Sequence, residues 1–263
     1  MIPSNNAKNL LTVIKNLDEM ENLEKLFFEL ASENRLTILN MLSHECLKMQ
    51  EIANRLDITA TEVYRQLQRL SEVSLVQRLP DGTFKTTEYG RLILHISSSY
   101  GFVSQHREYF LEHDVWTIPE PFINRIGELS ETTLLDTIAS VNKSIQIFLE
   151  AEEYAWGISE RGDGPDYLDP LVDKQIVAGL PFKLLVPETF LPDALAQNPR
   201  ENIEIRGFKE CPAVIVINEK EAMIFFKFIG GRLDYAGFHG DDPVFMNWAH
   251  DLFMYYWERG SRI

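Results

Sequence analysis

The chain has only two cysteines among its 263 residues, so a disulfide framework is excluded and a reducing cytoplasm is the expected compartment. It has no apolar run of membrane-spanning length, and its first residues, MIPSNNAKNL, are polar and unlike a secretory signal. A Gly-rich phosphate loop and a nucleophile motif are also missing. We therefore expect no membrane partner, no cofactor and no enzymatic activity of a recognisable class.

Basic residues are scarce as well: 25 lysines and arginines stand against 40 aspartates and glutamates, a net charge of −15. The acid is unevenly distributed. Residues 1–100 hold 11 basic and 13 acidic side chains, whereas residues 101–263 hold 14 and 27. The segment 48–91 is near neutral, with 7 basic and 6 acidic side chains. This is a weak electrostatic footprint for a DNA-binding protein, so only modest non-specific affinity is expected.

The segment from Lys48 to Gly90 nevertheless has the order helix, turn, helix and hairpin. Two stretches have apolar residues at helical spacing: they are Met49, Ile52, Ala53 and Leu56, and then Val63, Leu67, Leu70 and Val73. Thr59 and Glu62 predict a capping box at the start of the second helix. Residues 75–79 and 83–87 flank Pro80-Asp81-Gly82, a hairpin pattern. This order is typical of a winged helix-turn-helix, which places its second helix in the DNA major groove.

The second helix is polar and cationic opposite its apolar stripe, counting about 100° per residue. Hydrogen-bonding and cationic side chains of this kind contact base edges and phosphates, and two more cations flank the hairpin turn. The predicted DNA-binding residues are Thr59, Thr61, Tyr64, Arg65, Gln68, Arg69, Arg78 and Lys85. An alternative is that the winged helix serves only protein contacts, as its near-neutral charge allows.

Residues 23–90 resemble the ArsR-type winged helix of prokaryotic regulators. The resemblance rests on LASENRLTILNML, on QEIANRLDITATEVYRQLQRLSEVSLV and on the Pro80-Asp81-Gly82 wing. Ser74 departs from the family, which usually ends the recognition helix with a glycine. The metal-sensing members have a Cys-x-Cys pair where this chain has Lys48 and Gln50, so no thiolate metal site is implied. The nearby Cys46 is expected to be buried.

The second half mixes strands and helices, which predicts an α/β layer. A helix is expected over residues 132–150, a short helix over 171–180 and an aromatic-rich core helix over Pro243–Arg259. The expected strands are Glu153–Ile158, Phe182–Val186, Ile203–Phe208, Ala213–Ile217 and Ala222–Phe228. His106 and His113 could share a helix face, but capping of a helix end at His113-Asp114 is favoured over a metal site.

Two stretches of this half, residues 105–128 and the run GGRLDYAGFHGDDPVFMNWAHDLFMYYWER, resemble the archaeal methanogenesis-regulator (FilR-type) domain. That family couples such a region to an ArsR-type winged helix, so the resemblance implies an archaeal regulator with a C-terminal ligand-sensing domain. The region is also similar to a phospholipase-D-like layer. However, His239 is followed by Gly240 and Asp241, so the catalytic His-x-Lys motif is missing. This similarity implies a shape without the chemistry.

The sequence thus predicts an α+β, cytoplasmic, homodimeric transcriptional regulator that binds double-stranded DNA. The expected regions are a winged helix-turn-helix domain over 1–98, a helical linker and dimerisation region over 99–133, and a non-catalytic α/β effector-sensing domain over 134–263. The rival functions are a hydrolase-like enzyme with an accessory winged helix and a winged helix used for protein contacts alone.

A small-molecule effector is expected at the strand ends of the second domain. The predicted ligand-binding residues are Trp156, Arg161, Lys183, Arg206, Asp234 and Tyr235. Arg206 is the first choice for an anion, because its guanidinium can bind a carboxylate or phosphate with two parallel hydrogen bonds. The structural alternatives are an internal ion pair for Arg206 and a solvent-facing position for Lys183.

Overall fold

The computed structural model describes residues 20–160, 179–197 and 201–262. The chain divides into two compact units, Met1–Ser97 and Ser98–Ile263. Among the described residues, no helix is both long enough and apolar enough to cross a membrane.

The first unit is a winged helix-turn-helix. Helix α1 is described from residue 20 to residue 30. It is followed by α2 (Glu33–His44), α3 (Met49–Leu56), α4 (Ala60–Glu72), and the antiparallel strands β1 (Val76–Arg78) and β2 (Phe84–Thr86). Helix α5 (Glu88–Gln105) begins in this unit. The predicted order of helix, turn, helix and hairpin is therefore confirmed.

The apolar stripes of α3 and α4 form the core of this unit. Its fully buried side chains include Ile38, Leu39, Ile52, Val63, Leu67, Leu70 and Leu75. The turn between α3 and α4 has Asp57 in the left-handed region, at φ 53°. Ser74 also has a left-handed backbone, at φ 61°, after the end of α4. The serine thus takes the backbone conformation for which glycine is favoured at a helix end.

Only half of the capping box predicted for α4 is formed. The Thr59 hydroxyl oxygen accepts a hydrogen bond from the Glu62 backbone N–H at 3.2 Å. The Glu62 carboxylate instead accepts hydrogen bonds from the Arg65 and Gln66 side chains. The carboxylate that a capping box requires to bind the backbone N–H of Thr59 is therefore bound by side chains three and four residues farther along the helix.

Strand-like pairing also explains why the prediction of a buried Cys46 is wrong. Leu47 pairs with Phe84 in an isolated bridge and is buried in the core. Because successive side chains of extended backbone point to opposite sides, Cys46 faces away from the core and is exposed.

The second unit has helices packed on a mixed sheet. The sheet contains β4 (Thr133–Leu135), β5 (Ala155–Ile158), β6 (Phe182–Pro187), β7 (Ile203–Phe208), β8 (Val214–Asn218), β9 (Ala222–Phe225) and β11 (Gly237–Gly240). A separate ribbon pairs β3 (His113–Asp114) with β10 (Lys227–Phe228). The helices are α6 (Arg107–Glu112), α7 (Glu120–Ile123), α8 (Thr137–Leu149), α9 (Leu191–Gln197) and α10 (Pro243–Arg259), with 3-10 turns at Val115–Thr117 and Ile126–Leu129.

The strand order of this sheet is β4-β11-β9-β8-β5-β6-β7, with only β5, β6 and β7 parallel. Helix α10 covers one face, where Trp248 and Phe253 are buried with Ile215, Ile217 and Ile224. Helix α8 lies on the other face, where Ile147 is buried with Val216 and Met223. The predicted α+β chain with a layered C-terminal domain is confirmed.

Two boundaries predicted for the second half are wrong. The helix expected over 132–150 begins only at Thr137, because Thr133–Leu135 pairs with β11 at the sheet edge and Asp136 caps the helix. The strand expected over Ala222–Phe228 is divided into β9 and β10, which pair with different partners. The helix predicted over 171–180 falls almost entirely outside the described residues.

Residues 99–133 contribute to the core of the second unit. Phe102, Tyr109, Phe122 and Leu129 are buried in the same cluster as Phe238 of the sheet. The dimerisation role expected for this region stays a prediction.

The close approach of α5 to the core of the first unit can be tested at Gly90. A Cβ there would lie 2.3 Å from the Leu75 carbonyl oxygen and 2.7 Å from the Thr86 methyl group. We expect Gly90→Ala to lower the free energy of unfolding by about 1–3 kcal/mol, because backbone must shift to make room. Urea denaturation followed by circular dichroism measures the change.

Gly101→Ala is the matched control on the same helix, since no described atom lies within 4 Å of its added Cβ. This variant should be unchanged or up to about 1 kcal/mol more stable. Equal unfolding midpoints for the two variants would contradict the close packing at Gly90.

Candidate nucleic-acid interface

The exposed face of α4 brings together most of the side chains that the sequence predicts for DNA contact. Thr61, Tyr64, Arg65 and Gln68 are all exposed, with Glu72 beside them near the end of the helix. Val63 and Leu67 anchor the opposite face in the core. The helix therefore presents hydroxyl, amide and guanidinium groups on one side, the groups that read a major groove.

Within the part of the chain that the structure describes, the contact that holds Arg65 is a surface ion pair. Its guanidinium contacts the Glu62 carboxylate, and its side chain is 70% exposed. Oppositely charged pairs at this i,i+3 spacing stabilise a helix by only about 0.2–0.5 kcal/mol. Arg65 can therefore exchange Glu62 for a phosphate or a guanine edge at little cost.

Arg69 is held far more firmly, by Glu29 of α1. Its Nε lies 3.1 and 3.0 Å from the two carboxylate oxygens, and its Nη2 lies 2.5 Å from one of them. Glu29 is buried, and the hydrogen bond from Arg69 lowers the pKa of its carboxyl group below the ordinary value. The predicted DNA contact thus has an internal partner.

A second arginine completes this cluster. Arg35 Nε lies 3.0 Å from a Glu29 carboxylate oxygen and donates to the Glu29 backbone carbonyl at 2.7 Å. Its Nη1 donates to the Gln66 side-chain oxygen at 3.1 Å. Sequence reasoning missed Glu29 and Arg35, because partners 31 and 40 residues apart carry no local signal.

The side of α4 that faces α1 is concave. A shallow pocket of about 380 Å³ lies there, lined by Phe28, Arg35, Arg65, Gln66, Gln68, Arg69 and Glu72. The Phe28 ring centroid lies 5.2 Å from the Arg69 guanidinium carbon. This cation–π contact adds to the ion pair that fixes Arg69.

The remaining predicted DNA contacts lie at the helix start and on the wing. Thr59 is occupied as the cap of α4. Arg78 is exposed and pairs across the hairpin with Phe84, whereas Lys85 is opposite Gln77. Because cross-strand partners share a face and neighbours alternate, Arg78 and Lys85 lie on opposite faces of the wing. The structure does not bring these two cations together.

Three of the predicted ligand-binding residues do meet, beneath α10. Trp156, Lys183 and Arg206 lie on the adjacent strands β5, β6 and β7 and share one face of the sheet. The Lys183 ammonium lies 4.5 Å from the Trp156 ring centroid and 5.4 Å from that of Trp257. The alternative of a solvent-facing Lys183 is therefore wrong, since the side chain packs between aromatic rings.

The effector site is expected at strand ends, but Arg206 lies inside β7. Its Nη1 donates to the Trp257 carbonyl oxygen in the last turn of α10 at 2.6 Å, and its guanidinium carbon lies 4.2 Å from the Trp257 ring centroid. Burial, aided by the charge of Arg262, lowers the pKa of Arg206. Both arginines, with Leu195, Glu204 and Ile205, line a shallow pocket of about 230 Å³.

The other predicted ligand-binding residues lie elsewhere. The Asp234 carboxylate is 3.0 Å from His113 Nε2, and Tyr235 packs against Phe225 on the α8 side of the sheet. Trp156 stacks on Phe253 of α10, on the opposite side. Arg161 lies outside the described residues. The predicted set therefore does not form one site.

Neither histidine considered for a metal site has a metal-ligand setting. The described residues contain no group of three acidic, histidine or cysteine side chains that could hold an ion. His113 Nδ1 lies 2.6 Å from the Tyr109 carbonyl oxygen, and the Asp114 carboxylate caps the following 3-10 turn, as the capping interpretation expects.

One polar cluster was not predicted. Glu221 is buried, and one of its carboxylate oxygens lies 2.7 Å from Lys143 Nζ and 2.6 Å from His239 Nε2. Burial alone would raise the pKa of the Glu221 carboxyl group, but the hydrogen bonds and charges of Lys143 and His239 lower it. His239 of β11 therefore contacts the buried carboxylate of Glu221, the residue just before β9.

Comparison with known proteins adds a family match over the first unit. Residues 23–103 match the family model described as the HVO_A0261 N-terminal domain. No curated protein matches the chain. The match covers only the first few residues of the second unit. The resemblance of that unit to methanogenesis regulators therefore stays a prediction.

Three solved structures are similar to the chain at low identity. TrmBL2, an archaeal chromatin protein with a novel mode of DNA binding, is 15% identical over 88% of this chain and 92% of its own, with a TM-score of 0.42. HlyU from Vibrio cholerae is 21% identical over 36% and 96%, with a TM-score of 0.28. NucT from Helicobacter pylori is 10% identical over 51% and 99%, with a TM-score of 0.41. These likenesses are too weak to assign a function.

Proposed function

We propose that this protein is a dimeric, DNA-binding transcriptional regulator. The observation that carries the proposal is the exposed face of α4, on which Thr61, Tyr64, Arg65 and Gln68 stand opposite a stripe buried in the core. A helix anchored in this way can enter a major groove without unfolding any part of its own domain. Arg65 contributes the readily released cation, and Arg78 of the wing would contact phosphate.

Charge explains why a dimer is part of this proposal. The segment 48–91 is near neutral, so one copy neutralises few phosphates and binds weakly by electrostatics alone. Two copies related by two-fold symmetry would read two half-sites one helical turn apart. Specific affinity would then come from the pair.

Helix α5 offers a surface for this dimer. Tyr89, Leu92 and Ile96 are exposed large hydrophobic side chains at spacings of three and four residues. Such a spacing places them on one stripe, as along the seam of two packed helices. Burying these side chains against a second copy would remove them from water.

The second unit would sense a small anion without turning it over. Arg206 and Arg262 line a common pocket in a half of the chain that is otherwise strongly acidic. An anion there needs dedicated cations. If the anion binds one arrangement of the dimer more tightly than another, it changes the affinity of the protein for DNA. DNA must then change the affinity of the protein for the anion by the same factor.

The proposed role of Arg65 is tested by Arg65→Ala. We expect specific DNA affinity to fall by about 1–3 kcal/mol, because a base or phosphate contact is lost, with stability unchanged. Fluorescence anisotropy on a genomic fragment selected by the wild-type protein measures this. Arg107→Ala is the control, since Arg107 is an exposed, surface-paired arginine of the second unit. An unchanged Kd for Arg65→Ala would remove this residue from the interface.

The proposed dimer is tested by Leu92→Glu. A buried carboxylate at the seam should convert the protein to its 30.4 kDa monomer, which light scattering at micromolar concentration detects. Ile138→Glu, at an exposed position on α8, should leave the dimer intact. A wild-type protein that stays monomeric even on DNA would overturn the proposal.

Sensing is tested by a thermal-shift screen of anionic and neutral metabolites. We expect an anion to raise the Tm of the wild-type protein and to lose this effect in Arg206→Ala and in Arg262→Gln. The second variant keeps the bond between Arg206 and Trp257. A ligand that stabilises all three proteins equally would contradict the arginine pocket, and a ligand consumed on incubation would favour the rival enzyme function.

A further inference from the structure

The carboxylate of Glu29 lies at the centre of a network that joins three helices of the first unit. It accepts from Arg69 of α4 and lies within 3.0 Å of Arg35 Nε of α2. Only 8% of its side chain is exposed. Arg35 also donates to the backbone carbonyls of Phe28 and Glu29, at the end of α1. The same arginine therefore caps α1 and helps to neutralise its buried acid.

The network continues along α4 to the arginine on the DNA-facing side. Arg35 donates to the Gln66 side-chain oxygen, and the Gln66 amide donates to the Glu62 carboxylate. Glu62 in turn pairs with Arg65. The two arginines of α4 are thus linked through one network of hydrogen bonds and ion pairs. However, the acidic partner of Arg65 lies on α4, whereas that of Arg69 lies on α1.

This difference between the two acidic partners decides which arginine is available to bind DNA. Glu62 belongs to α4 itself and is partly buried, but the side chain of Arg65 is 70% exposed, so water and ions already compete for its guanidinium. Glu29 comes from α1, is buried, and engages both Nε and Nη2 of Arg69. That Nε–Nη2 edge is one of the two edges through which a guanidinium binds a phosphate bidentately, and Glu29 occupies it.

We propose that Glu29 is a positioning residue that withholds Arg69 from DNA and thereby limits the cations that α4 offers to phosphate. This inference rests on the proposed DNA-binding function and assigns different roles to Arg65 and Arg69, which the sequence predicted as equivalent. The buried carboxylate occupies the place that a phosphate oxygen would take. Helix α1 therefore sets the charge of the DNA-facing surface.

The experiment is a salt titration of binding to a random-sequence duplex. Each phosphate contact contributes about −0.9 to the slope of log K against log[salt]. Glu29→Gln keeps the shape and an acceptor but removes the charge that holds Arg69. We expect tighter binding at low salt and a slope steeper by about 0.9, and Glu29→Gln combined with Arg69→Met should lose both effects.

Glu72→Gln is the matched control, because it also removes one negative charge beside the DNA-facing side of α4 without releasing Arg69 from Glu29. A change in slope as large as that of Glu29→Gln would show that general charge explains the effect, which would overturn the proposal. An unchanged slope in a folded Glu29→Gln protein would also overturn it.

A second comparison does not depend on the stability of Glu29→Gln. In the wild-type background, Arg69→Met should leave the salt slope unchanged, whereas Arg65→Met should make it shallower by about 0.9. A shallower slope for Arg69→Met would show that Arg69 contacts DNA, which would overturn the proposal that Glu29 withholds it. If the wild-type protein binds no duplex at any salt concentration, the proposed function itself fails.

Discussion

The burial of one side of α4 is the constraint on which the first unit depends. Val63, Leu67 and Leu70 have almost no exposed surface, and burying each such side chain stabilises the fold by about 1.5–3 kcal/mol. Because the helix rotates about 100° per residue, this burial also determines which residues face outward. The side chains that can reach DNA are selected by the same interaction that holds the core together.

The positive charges of α4 are largely balanced by nearby carboxylates. The arginines of α4 stand beside Glu62, Glu72 and the buried Glu29. An arginine on such a surface cannot be counted as a DNA contact from its position on the helix alone. Its availability depends on how strongly a carboxylate of the same protein already holds it, and the two arginines of α4 differ in this respect.

The second unit follows a different rule, set by the alternation of side chains across a sheet. Alternate residues of β8 and β9 pack under α10 or under α8, so residues close in sequence contribute to separate layers. Trp156 pairs with Lys183, and Arg206 pairs with Leu185, two residues farther along the same strand. Trp156, Lys183 and Arg206 therefore lie on the same side of the sheet, the α10 side. Tyr235 packs on the α8 side.

The sequence by itself determined the local elements whose periodicity or caps are strong. These include the apolar stripes of α3 and α4, the hairpin around Gly82, the strand Ile203–Phe208 and the helix Pro243–Arg259. It also identified the exposed face of α4, because an amphipathic helix defines both of its sides. Such features depend on neighbours within a few residues along the chain.

Only the tertiary structure decided which distant groups meet. It paired Arg69 with Glu29 and placed the Arg206 guanidinium on the Trp257 carbonyl. It also made the first residues of an expected helix into the edge strand β4. Hydrogen bonds and ion pairs act over about 3 Å in space, whatever the separation along the chain. A pattern read over one or two helical turns therefore predicts which residue types face outward, but not which partners they find.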